Sequence, residues 1–369
     1  MFRLLMAGGG TGGHLFPAVA VAEEFMQRRA EIEVLFVGTG RPVEKEVLGP
    51  RGLAVRKIIA SGFMGKSFPA RFLSLAQVPV GLIQSAYILL SFRPDLLFCL
   101  GGYASGPVGL TGRTLGFPTA VHEQNSIPGV TTRFLGRLAD LIFISFDSTR
   151  KFFPPDKTYL TGNPVRQEIA RLGEVEEENK PNGFSLLVVG GSQGAHAINV
   201  AVIESMRVLT EKRAALSIVH QTGTADYEYI HRAYDAMGLE AEVHPFIHDM
   251  GQAYRKADLV VCRAGALTVA EVTTLGRPAI FIPLPTAIKN HQEINALSLV
   301  EAGGAEMIRQ GDLTPELLAQ KLTGFMDDRA RLKRMGQQAQ KSARPFAARE
   351  IYDICMRYLG SRKGGRKAR

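Results

Sequence analysis

Three short segments carry the residue types best suited to holding a phosphate: Gly8-Gly9-Gly10-Thr11-Gly12-Gly13-His14, Gly101-Gly102-Tyr103-Ala104-Ser105-Gly106-Pro107 and Gly190-Gly191-Ser192-Gln193-Gly194-Ala195-His196. Each directly follows an apolar run and opens a stretch of helical period. Glycine supplies positive φ and lets backbone amides approach a ligand without a Cβ in the way, while a helix start adds unpaired N–H groups and a partial positive charge. One such turn is as readily explained by tight packing between a strand and a helix. Three of them, including the first turn of each half, point to anion binding. No Gly-Lys-Ser/Thr follows any of them, so a P-loop fails for want of its lysine and magnesium hydroxyl. The second apolar run ends in Gly38-Thr39-Gly40, where a dinucleotide fold would place an acid for a ribose, which demotes NAD and FAD.

Other candidates stand beside these turns. His14, at a helix start, suits a general base whose ring is kept neutral; the bland alternative is a capping histidine. His122-Glu123-Gln124-Asn125 sets four polar residues at the end of a buried run. Asn163-Pro164-Val165-Arg166 places a cation at a turn, suited to a diphosphate or a sugar oxygen, and an ordinary surface arginine reads equally well. The run from Leu259 to Cys262 leads through Arg263-Ala264-Gly265 into a helix bearing Thr268 and Glu271, where a carboxylate can accept both hydroxyls of a ribose. Asn290, His291, Gln292 and Asn295 follow the next strand and can bond a sugar.

Parallel sheets must position these groups, because short apolar runs alternate with helix-period segments along the whole chain. Strands are expected at 2–7, 32–37, 54–59, 95–100, 118–121 and 141–144, then at 185–189, 216–220, 242–246, 259–262, 279–282 and 305–308. That is two doubly wound α/β sheets. Ligands in such sheets bind outside the carboxyl ends of the strands, so two domains facing across a cleft are expected, one holding a donor and the other an acceptor. The turn at Thr161-Gly162-Asn163-Pro164 and the polar stretch 173–183 bracket the domain boundary.

Length and composition agree. A chain of 369 residues, 46% hydrophobic and 21% charged, suits two globular domains rather than a disordered protein. Five of its nine net positive charges sit on Arg362, Lys363, Arg366, Lys367 and Arg369, leaving the first 359 residues at +4. A frayed basic tail is a weak argument for nucleic acid and fits a solubilising end or attraction to anionic lipid. Cys99, Cys262 and Cys355 are too far apart for a zinc motif and read as reduced thiols of a cytosolic protein. The start is too short for a signal peptide, and the greasiest stretch, 78–92, is broken by Gln84 and Ser85 and falls short of the roughly 20 residues that span a bilayer.

Taken together and in this order, Gly-Gly-Gly-Thr-Gly-Gly-His, Gly-Gly-Tyr-Ala-Ser-Gly-Pro, His-Glu-Gln-Asn, Gly-Asn-Pro-Val-Arg, Gly-Gly-Ser-Gln-Gly-Ala and Gly-Ala-Leu-Thr-Val-Ala-Glu resemble the MurG family, bacterial N-acetylglucosaminyltransferases that convert lipid I to lipid II in peptidoglycan synthesis. The resemblance runs from Leu4 to about Ala302. It implies a GT-B fold of two Rossmann-like domains, 1–163 on the acceptor and membrane side and 164–344 binding UDP-GlcNAc, with a closing helix at about 345–369 returning to the first domain. Carried over residue by residue, Thr11, Gly12 and Gly13 lie beside the donor, Asn125 and Arg166 contact it, and Ser192 meets its diphosphate. Ile247 holds the uracil through its backbone. Ala266, Leu267, Thr268, Val269, Ala270 and Glu271 line the sugar and ribose, with Glu271 on the ribose hydroxyls, and Gln292 holds the GlcNAc. On the acceptor side, Gly10, Gly102, Tyr103 and Ser105 face the lipid diphosphate. The family varies around Ile288-Lys289-Asn290-His291-Gln292.

The implied chemistry is one inverting displacement, with His14 as base and Glu123 as its rival. No cofactor is required, UDP-GlcNAc being a substrate, and no Asp-x-Asp pair occurs for a metal, although a divalent cation is left open. A lipid acceptor needs a membrane contact, for which Phe63, Lys66, Phe68, Arg71 and Phe72 form a candidate patch on anionic lipid; a loop packed into its own domain explains them equally well. The expected partners are UDP-GlcNAc, lipid I, the membrane surface and the cell-wall and division machinery, with no nucleic acid. The expected location is the cytoplasmic face of the bacterial inner membrane, held peripherally. A UDP-GlcNAc epimerase on the same scaffold and a non-catalytic nucleotide-sugar sensor are the competing readings.

Overall fold

A computed structural model describes residues 1–9, 12–61, 68–173, 183–191, 194–209 and 216–367, with backbone alone at 68–76, 288 and 363–367. The chain divides into two compact units, one formed by Met1–Arg166 with Phe346–Arg369 and the other by Gln167–Pro345.

The first unit runs β1 (Phe2–Ala7), α1 (Gly12–Arg28), β2 (Ile32–Gly38), α2 (Pro42–Leu48), β3 (Ala54–Lys57), α3 (Phe68–Phe92), β4 (Leu96–Cys99), α4 (Gly102–Thr114), β5 (Thr119–Glu123), α5 (Val130–Leu138), β6 (Leu141–Ile144) and β7 (Thr158–Leu160). Its seven strands are parallel and ordered β3-β2-β1-β4-β5-β6-β7. The central strands are apolar on both faces because helices cover both, as a parallel sheet requires. One strand more is present than the apolar runs indicate. Thr158–Leu160 is only three residues long and holds Thr and Tyr between prolines and a glycine turn, so it shows no run to read. The edge strand β3 is exposed along its length and stops at Lys57, short of the expected end.

The second unit comprises α6 (Gln167–Leu172), β8 (Phe184–Val189), α7 (His196–Val208), β9 (Leu216–Gln221), α8 (Tyr227–Ala236), β10 (Ala241–His244), α9 (Met250–Lys256), β11 (Leu259–Cys262), α10 (Ala266–Thr274), β12 (Ala279–Phe281), α11 (His291–Glu301), β13 (Ala305–Met307), α12 (Pro315–Asp327) and α13 (Arg329–Lys341). Its six parallel strands are ordered β10-β9-β8-β11-β12-β13. Asp249, Thr314 and Asp328 cap α9, α12 and α13 by accepting from a backbone N–H three residues on.

The last helix, α14 (Ala347–Lys367), belongs to the first unit. Ile351, Ile354, Cys355 and Leu359 repeat at helical spacing and enter the same core as Phe25 and Val21 of α1. Tyr352 meets the Phe25 ring edge-on at 4.8 Å and takes the Arg28 guanidinium on its face. All three cysteines are buried and free. Among the described residues no helix is long and apolar enough to cross a membrane, and the greasy stretch 78–92 forms the larger part of α3.

Candidate functional site

In an open parallel sheet the ligand crevice opens where the strand order reverses, between the two strands whose following helices leave to opposite faces. The first unit reverses between β1 and β4, and the second between β8 and β11. The three glycine turns and the Arg263-Ala264-Gly265 turn follow these four strands, so topology alone explains why the chemistry-bearing segments fall where they do.

In the first unit the turns after β1 and β4 touch. Gly102 adopts φ +74°, and a Cβ there would lie 2.6 Å from the Gly9 carbonyl oxygen, which no side chain permits. Gly101, at φ +85°, leaves a space taken by two groups: a Cβ there would lie 3.1 Å from Thr132 Oγ1 and 3.4 Å from His14 Nε2. The strand after Gly101 holds this corner from below. Gln124 Nε2 donates to the Leu100 carbonyl at 3.0 Å and also lies 3.2 Å from His122 Nδ1. The second contact makes Nδ1 an acceptor, so the His122 proton sits on Nε2 and is donated to Gly162 O at 3.1 Å. Burial lowers the His122 pKa to about 4, with the neighbouring His14 adding to the effect and the Gly162 bond opposing it, so the ring is neutral.

Two residues of this unit differ from expectation. Ser105 is fully buried, and its hydroxyl lies 2.7 Å from Ala7 O and 2.6 Å from Gly101 O. It therefore ties the two turns together and does not face a diphosphate. Glu123 is also buried; its carboxylate accepts from Asn125 N at 3.0 Å, Gly129 N at 3.1 Å, the Asn125 side chain and the Thr132 hydroxyl. Burial raises its pKa to about 7 against these four bonds. A saturated carboxylate shaping the loop from Asn125 to Thr132 is badly placed to rival His14, which is half-buried. Tyr103 is exposed beside the Arg41 guanidinium, and Arg166 is buried with its guanidinium 5.1 Å from the Phe16 ring centre. Gly12 and Gly13 form the first residues of α1. Gly10, Thr11, Ser192, Phe63 and Lys66 lie outside the described residues, and Phe68, Arg71 and Phe72 are described only as backbone of α3.

In the second unit, Gly191 (φ +83°) and Gly194 (φ +77°) shape the turn after β8. A Cβ on Gly194 would lie 2.5 Å from the Thr222 carbonyl oxygen. That carbonyl is held by Asn199 Nδ2 at 2.9 Å, while the same NH2 group meets Asp226 at 2.8 Å and Asn199 Oδ1 faces His220 Nε2 at 3.1 Å. With both amide hydrogens spent, Oδ1 must accept, so His220 carries its proton on Nε2 and takes the Tyr234 hydroxyl on Nδ1 at 3.0 Å. Burial drives the His220 pKa down to about 3, against the pull of Asp226.

Glu271 is buried within α10 and accepts from the Tyr254 hydroxyl at 3.2 Å. Ala266, Leu267, Thr268, Val269 and Ala270 form the preceding turns of the same helix. Arg263 binds Ile282 O at 3.0 Å and Gln310 Oε1 at 2.7 Å, and Asn295 binds Ala264 O at 3.2 Å, so both brace the turn that launches α10. The Gln292 Oε1 accepts from Leu284 N at 3.0 Å, which leaves its NH2 as the end that can donate to a ligand. Just before it, Lys289 (φ 54°) and Asn290 (φ 58°) stand in the left-handed region that non-glycine residues seldom adopt. The Ile247 N–H already donates to Gln221 Oε1 at 2.8 Å and is committed within the unit. Tyr254 and Gln221, whose partners Glu271 and Ile247 lie 17 and 26 residues away, and Thr132, which meets Glu123 across a loop, carry no signal in the sequence. Among the described residues no three His, Cys, Asp or Glu side chains are grouped to hold a metal.

The arrangement suits a nucleoside diphosphate in the second unit, with amides for the diphosphate and a carboxylate for the ribose. In the first unit it suits proton removal beside a second anion-binding turn. Comparisons with known proteins give the family. Residues 4–144 match the glycosyltransferase family 28 N-terminal domain and residues 185–351 its C-terminal domain. A relative from Geobacter sulfurreducens, a UDP-N-acetylglucosamine--N-acetylmuramyl-(pentapeptide) pyrophosphoryl-undecaprenol N-acetylglucosamine transferase, is 49% identical over 353 residues, 95% of this chain and 97% of that one. The crystal structure of Acinetobacter baumannii MurG matches with a TM-score of 0.76 at 32% identity, covering 97% of this chain and 100% of that one. A UDP-GlcNAc 2-epimerase from Neisseria meningitidis, solved bound to UDP-GlcNAc, covers 97% of this chain and 100% of its own with a TM-score of 0.69, but at 13% identity the likeness is of fold alone.

Proposed function

We propose for this chain, which belongs to glycosyltransferase family 28 and within it to the N-acetylglucosaminyltransferases of peptidoglycan synthesis, the transfer of GlcNAc from UDP-GlcNAc to the muramyl 4-hydroxyl of lipid I, giving lipid II. The observation that carries it is the placement in the second unit of a glycine turn and a buried ribose-type carboxylate, Glu271, after the two strands that flank the reversal. The fold is GT-B.

In this reading the second unit binds the donor. Amides at Gly190, Gly191 and the start of α7 stabilise the charge that develops on UDP. Glu271 takes the ribose hydroxyls, and the Gln292 NH2 donates to the GlcNAc. His14 removes the proton of the acceptor hydroxyl as its oxygen bonds to the anomeric carbon and the bond from that carbon to UDP breaks, inverting the centre. Gly102 and the exposed Tyr103 serve the acceptor diphosphate, and Glu123 shapes the loop beside His14 through Thr132.

A lipid-linked acceptor also calls for peripheral contact with an anionic membrane surface, at the cytoplasmic face. Val80, Ile83, Tyr87 and Leu90 support it: they repeat at helical spacing along α3 and are exposed, Ile83 and Tyr87 to 70%. Arg56 and Arg93 are exposed near the end of that stripe. Phe68, Arg71 and Phe72 of the expected patch lie in the first turns of the same helix. The test is whether UDP release depends on the acceptor. Release only when a lipid I analogue is present supports transfer, and consumption of UDP-GlcNAc without it contradicts transfer in favour of epimerisation.

A further inference from the structure

Gln221 ends β9 and is 3% exposed, yet it makes three hydrogen bonds to two separate loops. Its carbonyl accepts from Gly190 N at 3.2 Å and its Nε2 donates to Gly191 O at 3.1 Å, both in the turn after β8. Its Oε1 accepts from Ile247 N at 2.8 Å, in the loop between β10 and α9. The amide cannot be flipped, because Gly191 O only accepts and the Ile247 N–H only donates. Both atoms of one planar amide are therefore used, so Gly191 O and Ile247 N are held a fixed distance apart across that amide.

That separation matters under the donor reading above, on which this inference rests. The resemblance assigns the diphosphate to the turn that opens at Gly190 and the uracil to the backbone of the Ile247 loop, whose N–H is already given to Gln221, and in UDP these two moieties are covalently linked. We propose that Gln221 is a positioning residue that sets the register between the nucleobase and diphosphate subsites, so that the site takes a pyrimidine nucleoside diphosphate as one piece rather than its parts. A residue in this role adds little to the binding of either part alone and much to their linked binding, because linkage is productive only when both subsites keep the right spacing.

Two variants separate this role from simple core packing. Gln221→Glu keeps the volume and the acceptor toward Ile247 but sets an oxygen against Gly191 O; Gln221→Met keeps the approximate shape and loses both bonds. The measurements are dissociation constants for UDP, uridine and inorganic pyrophosphate, KM for UDP-GlcNAc and for a lipid I analogue, and the thermal midpoint. Expected are a loss of UDP affinity of about tenfold or more, with uridine and pyrophosphate changed by less than about twofold. KM for UDP-GlcNAc rises with the UDP constant while the acceptor KM stays put. Unchanged UDP affinity, or equal weakening of UDP and uridine, would overturn the proposal. Loss of the folded state in both variants would assign Gln221 to the core and overturn it too. Failure of the wild type to bind UDP would contradict the donor assignment itself, a result distinct from all of these.

Discussion

The imidazole of His14 fills the space that Gly101 leaves by having no side chain, its Nε2 standing 3.4 Å from the point where a Cβ would begin. Gly101 also holds φ +85°, so Gly101→Ala both strains the turn and pushes on the ring. If His14 is the base, Gly101→Ala should lower kcat by about a hundredfold, approaching the loss of about 10²–10⁴ expected of His14→Ala. UDP affinity should change far less than kcat in both, because the diphosphate turn and the ribose carboxylate are assigned to the other unit. Steady-state rates and UDP titrations on the two variants check this, and full activity in His14→Ala would remove it as base.

Gly194 offers a contrast on the donor side. Its φ of +77° and the Thr222 carbonyl oxygen 2.5 Å from any Cβ leave no room to adjust, since the obstacle is backbone. Gly194→Ala should therefore weaken UDP by about tenfold or more, by moving the amides that would meet the diphosphate. Gly324, inside α12 with nothing within 4 Å of its Cβ position, is the control. Gly324→Ala should raise stability by about 0.5–1 kcal/mol through helix propensity and leave UDP binding alone. Calorimetry and denaturant unfolding read the two effects.

Glu271 and Tyr254 lead to a test of ribose recognition. Removing the charge by Glu271→Gln weakens hydrogen bonds that contribute about 1.5–3 kcal/mol when one partner is ionised. UDP should then bind about 10- to 100-fold more weakly, and the preference for UDP over 2′-deoxy-UDP should shrink. Tyr254→Phe should reproduce a fraction of this by removing one of the bonds that orient the carboxylate. Equal discrimination in wild type and Glu271→Gln would place the ribose elsewhere.

Buried titrating groups predict a specific pH response. His122 and His220 have pKa values lowered to about 4 and about 3, so the stability each contributes is present above the unfolded value of about 6.5 and is lost as pH falls. Glu123 acts in the opposite sense. Its pKa, raised to about 7, gives stability that is present below the unfolded carboxylate value and lost as pH rises through 7. Between about pH 6.5 and 4.5 Glu123 therefore offsets one histidine. Glu123→Gln should remove the offset and steepen the loss of stability on acidification by about 1.4 kcal/mol per pH unit over that window. Urea unfolding at a series of pH values measures the slope.

The parts legible in the sequence were those written locally. Glycine turns and the strands before them are contiguous, and the reversal of strand order places them at the carboxyl ends of the central strands of each sheet. Hydroxyl direction is not local: Ser105 sits inside a phosphate-type turn, yet its Oγ points to Ala7 and Gly101 carbonyls because the helix start is packed against β1. The bracing residues were hidden for the same reason. Gln221 meets Ile247 across 26 residues and Asn295 meets Ala264 across 31, and no spacing rule links such pairs. The strand Thr158–Leu160 escaped because three residues with a tyrosine and a threonine carry no period.

The central claim concerns what becomes of the sugar, so following the sugar tests it most directly. With UDP-GlcNAc labelled in the GlcNAc ring and a lipid I analogue, the account predicts that label moves into the lipid fraction, one UDP released for each GlcNAc transferred, in a β-linkage to the muramyl 4-hydroxyl. Label that stays in water as a UDP-linked epimer or free sugar, or an α-linked lipid product, would contradict it.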